Sequence, residues 1–291
     1  MPKECNFIII ELVYSEFIPL IIPMAIRIST ILILWTIVAF PLWAYSTKNV
    51  HVIVIDGARY SETFGDPTHQ FIPNIWNKLR PQGTLYTRFY NDSVTYTVPG
   101  HCSIVSGVWN NVPNDASAVI TSPTVFEYFR KELHAPPSDN YVILGKEKLH
   151  CLAASAHPDY GPAFGASVRF CVSPYEDTLT WQNIKAVFTT HHPRLTITNL
   201  ASVDVCGHNG IWEEYVRSIR VADSITNETW NLIQSDPVYK DQTTLIVTND
   251  HGRHDGGRDG FIRWHDSRSP HCGSDNSSSI GGSRHWYCRR C

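Results

Sequence analysis

The sequence predicts an α/β domain built on a mostly parallel central sheet with helices on both faces. Three observations carry that prediction. Apolar, β-branched runs of strand length alternate with helical stretches, as strand–crossover–strand units require. Three of those runs end on an acid: 52–55 on Asp56-Gly57, 195–200 ahead of Asp204 and His208, and 244–248 ahead of Asp250-His251-Gly252. Ligands of open α/β sheets bind beyond the carboxyl ends of the strands, so three acids and two histidines converge on one edge. Taken singly, Asp56 and Asp250 read equally well as turn caps, because Asp favours such places.

The chain has 291 residues, enough for one substantial core, and its 43% hydrophobic and 18% charged content is that of a globular protein. A net charge of −3 argues against a nucleic-acid-binding surface, which needs a clustered basic excess. Eight cysteines show no paired CxxC zinc pattern. Near the N-terminus, Arg27, an apolar run through 31–43 and Ala44-Tyr45-Ser46 read as a secretory signal with a cut after Ser46, or as a membrane anchor. Residues 1–23 do not suit a signal's basic region, so Met24 is a candidate start. The division expected is 1–46 signal or membrane segment, 47–262 catalytic domain, and 263–291 an irregular tail. Export to a periplasm or outside the cell would allow some cysteines to pair.

Within the domain, 74–79 reads as a helix and 84–90 as an aromatic, alternating strand. It leads to Thr97-Val98-Pro99-Gly100-His101, where a proline in the first turn marks a strand-to-helix junction. Thr97 is thereby expected at a helix N-terminus, a position that favours anions such as phosphate. Residues 123–133 form an amphipathic helix, 141–145 a short strand, 150–175 a long loop, and 178–189 and 210–233 helices. From Arg263 the composition turns to Ser, Gly, Arg and His and contributes no core strand.

Asp56, Thr97, Asp204, His208, Asp250 and His251 fit a two-metal hydrolase. Carboxylates and imidazoles suit zinc first and manganese second. Two ions about 4 Å apart can clamp the attacking and leaving oxygens of an in-line displacement. The motif order Asp-Gly, Thr-x-Pro-Gly-His, Asp-x-x-Gly-His-x-Gly and Asp-His-Gly, over residues 50–252, resembles the alkaline phosphatase superfamily, in particular its type I phosphodiesterase/nucleotide pyrophosphatase branch. The resemblance implies an alkaline phosphatase-like fold, here short at its C-terminus. It implies one metal on Asp56, Thr97, Asp250 and His251, with Thr97 the nucleophile that forms a phosphothreonine later hydrolysed by water. The second metal would take Asp204, His208 and a later histidine. His254, His265, His271 and His285 are the candidates, and Gly282-Ser283-Arg284-His285 makes His285 the choice.

The expected substrate is a small-molecule phosphate ester, a phosphodiester or nucleotide-type compound before others, with the membrane touched only through an uncleaved N-terminal segment. A phosphomonoesterase, phosphonate hydrolase or sulfatase of the same superfamily is the alternative, and an inactive remnant lacking the second metal is another. His101 reads as structural. Asn111 and Asn114 occupy the loop where relatives place a supporting amide. Lys146 reads equally as a solvated charge, and Asn91-Asp92-Ser93 matches a glycosylation sequon.

Overall fold

Alternating apolar runs and helices assemble as the periodicities require. The structure, a computed structural model, describes residues 4–10, 47–91, 94–117 and 119–253. The strands are β1 (Glu4–Ile10), β2 (Asn49–Ile55), β3 (Thr84–Tyr90), β4 (Asn140–Leu144), β5 (Ser167–Phe170), β6 (Leu195–Leu200) and β7 (Thr243–Thr248). The α-helices are α1 (Thr97–Ser106), α2 (Val125–Glu132), α3 (Asp177–His191), α4 (Ser202–Asn209) and α5 (Trp212–Ser235). The strands form one sheet in the order β3-β1-β7-β2-β6-β4-β5. The five from β7 to β5 are mutually parallel, which bears out the predicted class.

Helices cover both faces, and the side-chain alternation of the strands shows why. Ile53, Ile55, Ile143 and Leu245 point into a cluster with Ile184 and Phe188 of α3 and Tyr215 and Ile219 of α5. Val54, Val142, Leu144 and Ile197 point the other way, against Val98 and Val105 of α1 and Phe126 of α2. Strands buried on both sides favour continuous apolar runs, which β2, β4 and β7 have, whereas β6 (Leu-Thr-Ile-Thr-Asn-Leu) buries two threonines and an asparagine as well.

The structure departs from the sequence reading in four places. Glu4–Ile10 lies in the stretch 1–46, read as a signal or membrane segment ahead of the domain. It is instead an antiparallel strand between β3 and β7, with Ile8 opposite Leu85 and Val247. Its Phe7-Ile8-Ile9-Ile10 run suits a strand as well as it suits a leader. Residues 11–46, with the expected cleavage point, lie outside the described residues. Among the described residues no helix is long and apolar enough to cross a membrane.

The stretch read as a loop over 150–175 contains β5 at the sheet edge and the 3-10 turns Glu147–Ala153 and Gly161–Phe164. Four largely exposed residues offer no apolar run by which to recognise a strand. The helix read over 123–133 starts at Val125, because Thr124 caps it in a reciprocal box with Glu127. Finally, α4 is a separate eight-residue helix ahead of α5, and Gly210, in the left-handed region at φ 73°, ends it.

Candidate metal centre

Four adjacent parallel strands deliver the site. Asp56 follows β2 directly, Asp250 and His251 follow β7, Lys146 follows β4, and β6 runs through Ala201 into α4 with Asp204 in its first turn. α1 closes the edge from above, with Thr97 its first helical residue. Two close backbone approaches bring these pieces together. Gly57, at φ 70°, sits where a Cβ would lie 2.8 Å from Asp204 Oδ1. A Cβ at Gly100 would lie 2.9 Å from the Asp250 carbonyl oxygen, so the glycine lets the Thr97 helix rest on the Asp250 loop.

Asp56, Thr97, Asp204, Asp250 and His251 are all buried. His251 Nε2 stands 3.3 Å from Asp56 Oδ1 and 3.4 Å from Asp250 Oδ2. Its other ring nitrogen, Nδ1, faces the Gly252 carbonyl at 3.1 Å, which turns Nε2 toward the two acids. Asp250 Oδ1 accepts from the backbone N–H groups of Gly57 and His251 at 3.1 and 3.0 Å. Asp56 Oδ1 and Asp250 Oδ2 accept no hydrogen bond of good geometry. Buried carboxylate oxygens without well-aimed donors are costly unless a cation satisfies them.

Lys146 is the residue whose weight the sequence understated. Its ammonium stands 2.8 Å from Asp56 Oδ2, 2.5 Å from Asp204 Oδ2 and 3.4 Å from Thr97 Oγ1. Burial opposes its charge, yet Asp56 and Asp204 outweigh that and hold its pKa above the ordinary lysine value. Burial likewise works against ionised Asp56, and Lys146 with His251 overcomes it, so this carboxyl stays well below the usual range. Lys146 is therefore no solvated charge. The available signal was its position two residues past a strand of the parallel sheet.

Three other contributors were missed. Arg253, buried at 1% exposure, donates from Nη1 to Asp204 Oδ1 at 2.7 Å and to the Asp204 carbonyl at 2.9 Å. Asn199, on β6, donates from Nδ2 to Asp56 Oδ2 at 2.9 Å and faces His101 Nε2 at 3.1 Å. Asn91 is 7% exposed and its amide donates to the Asp250 carbonyl at 3.4 Å, so the sequon asparagine supports the site. Each lies in an apolar or loop context from which sequence gives no signal.

His101 is wholly buried and engaged on both nitrogens, with Nδ1 2.8 Å from the Thr97 carbonyl and 3.1 Å from Asp250 Oδ2. Burial disfavours its charged form, while Asp250 outweighs that and raises its pKa. The Asn199 amide, needing an acceptor at Nε2, pulls toward the neutral ring, and direct hydrogen bonding is the more local of the two influences. Asn114 Oδ1 accepts from Val98 N at 3.0 Å and from Lys148 Nζ at 3.2 Å, so this amide caps the first turn of α1. His208 shares a helix face with Asp204, 3.7 Å apart, with its side chain 48% exposed and its pKa lowered to about 4 by burial. His254, His265, His271 and His285 lie outside the described residues.

Among the described residues two donor groups gather within 4.8 Å: Asp56, His101 and Asp250, and Asp56, Asp204 and His251. Three buried carboxylates face two fixed cations, Lys146 and Arg253, which leaves one negative charge uncompensated when the imidazoles are neutral. A divalent cation on Asp56, Asp250 and His251 fits that imbalance and the two oxygens that lack well-aimed donors. The fit at Asp204 is poorer, since cations hold both its oxygens. Fold and donor set together define a class, an α/β domain with a buried centre suited to a divalent metal.

Comparison with known proteins agrees with that class. Residues 174–271, about a third of the chain, match the family model described as the Metalloenzyme superfamily. They carry Asp204, His208, Asp250 and His251. No curated protein matches the sequence. Among solved structures the chain is similar to a mutant TAB5 alkaline phosphatase with Mg bound, at 13% identity over 76% of this chain and 85% of that one, TM-score 0.43. It is similar to the C-terminal periplasmic domain of the phosphoethanolamine transferase EptC from Campylobacter jejuni, at 12% identity over 78% and 76%, TM-score 0.47. It is also similar to murine ectonucleotide pyrophosphatase/phosphodiesterase 5, at 18% identity over 72% of this chain and 58% of that one, TM-score 0.45.

Proposed function

We propose that the chain is an exported, metal-dependent phosphohydrolase with Thr97 as nucleophile, acting on a small-molecule phosphodiester or nucleotide-type substrate. The observation that carries the reading is the convergence of Asp56, Asp250 and His251 beside a buried threonine hydroxyl that faces a charged lysine. In this reading Asp56, Thr97, Asp250 and His251 hold the first ion, and Asp204 and His208 with a later histidine, His285 by motif, hold the second. Zinc is the first choice for the donor set and manganese the second. Bound there, the metal supplies Lewis-acid polarisation and offsets charge that develops on phosphorus oxygens.

The protein's own groups do the rest. Thr97 gives up its hydroxyl proton to solvent and its Oγ1 attacks phosphorus; a bond forms between them, the bond from phosphorus to the leaving oxygen breaks, and the departing alkoxide takes a proton from water. Lys146 stays an ammonium throughout, and its three donors are matched to anionic phosphoryl oxygens. Asn114 and the first turn of α1 hold Thr97 in place. Water then cleaves the phosphothreonine.

A second reading has one observation in its favour. Lys146 and Arg253 tie up both oxygens of Asp204, as expected of a chain that binds a single ion or has lost activity. Metal analysis of the purified chain, together with turnover of bis-p-nitrophenyl phosphate by wild type and Thr97→Ala, separates them. Two ions per chain and a turnover abolished by the substitution support the hydrolase. Fewer ions and no turnover sink it.

A further inference from the structure

One buried imidazole and one buried amide join the helix that carries Thr97 to both acids of the first cluster. His101 lies one helical turn beyond Thr97 on α1, and helical side chains lean toward the N-terminus, so its ring folds back on the first turn. There Nδ1 lies 2.8 Å from the Thr97 carbonyl and 3.1 Å from Asp250 Oδ2. On the other side of the ring stands Asn199 of β6, also buried. An asparagine amide nitrogen carries two donor hydrogens. Asn199 Nδ2 lies 2.9 Å from Asp56 Oδ2 and 3.1 Å from His101 Nε2, so each hydrogen has an acceptor of its own. A carbonyl oxygen only accepts, and an amide NH2 only donates. Both sides of the ring therefore demand the same tautomer, with the proton on Nδ1 and a lone pair at Nε2.

We propose that His101 is a positioning residue which, together with Asn199, holds the Thr97 turn, Asp250 and Asp56 in one frame. The proposal rests on the reading of Thr97 as nucleophile beside a metal on Asp56, Asp250 and His251. The frame decides which oxygen of each acid faces the cation. The Asn199 amide and Lys146 hold Asp56 Oδ2, which turns Oδ1 toward His251 Nε2. Asp250 Oδ1 is held by the backbone N–H groups of Gly57 and His251, which leaves Oδ2 between His101 Nδ1 and His251 Nε2.

Groups that orient a ligating carboxylate contribute to metal affinity, and groups that fix a nucleophile contribute to the rate of attack. The frame does both, because the Thr97 carbonyl and the two acids share the same ring and amide. A role in packing alone would be met by an apolar side chain of similar size. The frame needs a donor at the Nδ1 position and an amide donor at Asn199, and that requirement separates the two roles.

The test uses the full chain loaded with zinc. A long-range 1H–15N spectrum of the imidazoles, in which the His101 signal is the one lost in His101→Asn, should show a protonated Nδ1 and an unprotonated Nε2. A proton on Nε2, on both nitrogens or on neither would overturn the proposal. Turnover of bis-p-nitrophenyl phosphate gives the second readout. His101→Leu should lower kcat about 10²-fold with KM nearly unchanged, the loss that a small misplacement of a reacting group causes. His101→Asn sets an amide nitrogen close to the Nδ1 position and should recover most of that loss. Equal losses in the two variants would reduce His101 to a space-filling ring and sink the frame. Asn199→Leu should weaken zinc binding about 10- to 100-fold, and unchanged binding would count as a refutation. Should His101→Leu not fold, the wild-type tautomer and the zinc affinity of Asn199→Leu decide the matter. A wild type without turnover overturns the phosphohydrolase reading, whereas those same two measurements still decide the frame.

Discussion

The Asp56–Asp250–His251 cluster and the Asp204–His208 pair come from equally clear motifs, yet they present different chemistry. In the first, two buried carboxylate oxygens have no well-aimed donor and an imidazole nitrogen faces both acids within 3.4 Å. In the second, each oxygen of Asp204 already holds a cation, and His208 is half exposed. A motif declares which residues reach an edge. Whether their lone pairs are available depends on side chains from elsewhere, here Lys146 from β4 and Arg253 from beyond β7.

The largest effect should come from the first cluster. Thr97→Ala should lower turnover of bis-p-nitrophenyl phosphate on the order of 10³-fold or more while the metal content stays nearly unchanged. Asp250→Asn should remove the ion, read as stoichiometry by elemental analysis. An ion retained at wild-type affinity would place the centre elsewhere. Lys146→Met sharpens the contrast, because it frees Asp204 Oδ2. We expect kcat/KM to fall about 10²-fold from the lost charge. An increase in both bound metal and activity would instead mark Lys146 as a competitor of the second cation.

A smaller, pH-dependent effect belongs to the second region. The buried Asp177 carboxylate accepts from Ala201 N at 2.8 Å and Ser202 N at 3.2 Å, and so anchors the start of α4, which carries Asp204 and His208. Burial pushes its pKa up to about 7 against those donors. Below about pH 4 folded and unfolded chains both bind this proton. Between there and neutrality only the unfolded chain releases it, so the contribution to stability falls as pH rises, by up to about 4 kcal/mol. Asp177→Asn should flatten that part of the denaturation profile relative to wild type, and an unchanged slope would discard the account. The smallest effect is a control remote from both regions. Thr124→Ala removes the capping box of α2 and should cost about 1 kcal/mol, a drop of roughly 2–4 °C in melting temperature, with metal content untouched.

How far each part could be read follows from how local its signal is. The strands β2 and β7 announce themselves by apolar runs and β6 by its β-branched residues, and the proline in Thr97-Val98-Pro99 locates the start of α1 to the residue. β5 and α4 are short and half exposed, so their stability comes from neighbours, and propensity said nothing of them. Asn199 shows the same limit within the site. In the run Leu195–Leu200 an asparagine beside two threonines gives no hint of a role, and only parallel pairing beside β2 brings its amide to Asp56.

By itself the sequence determined the class of fold, the edge on which the acids gather and the identity of the residues that can bind a cation. Those properties reside in side-chain period and in residue type at strand ends, both written along one chain. The tertiary structure alone decided the charge balance at that edge. It brings Lys146 and Arg253 from separate loops to Asp204 and leaves Asp56 Oδ1 and Asp250 Oδ2 without a well-aimed donor, because distances between distant segments are set by packing and not by spacing.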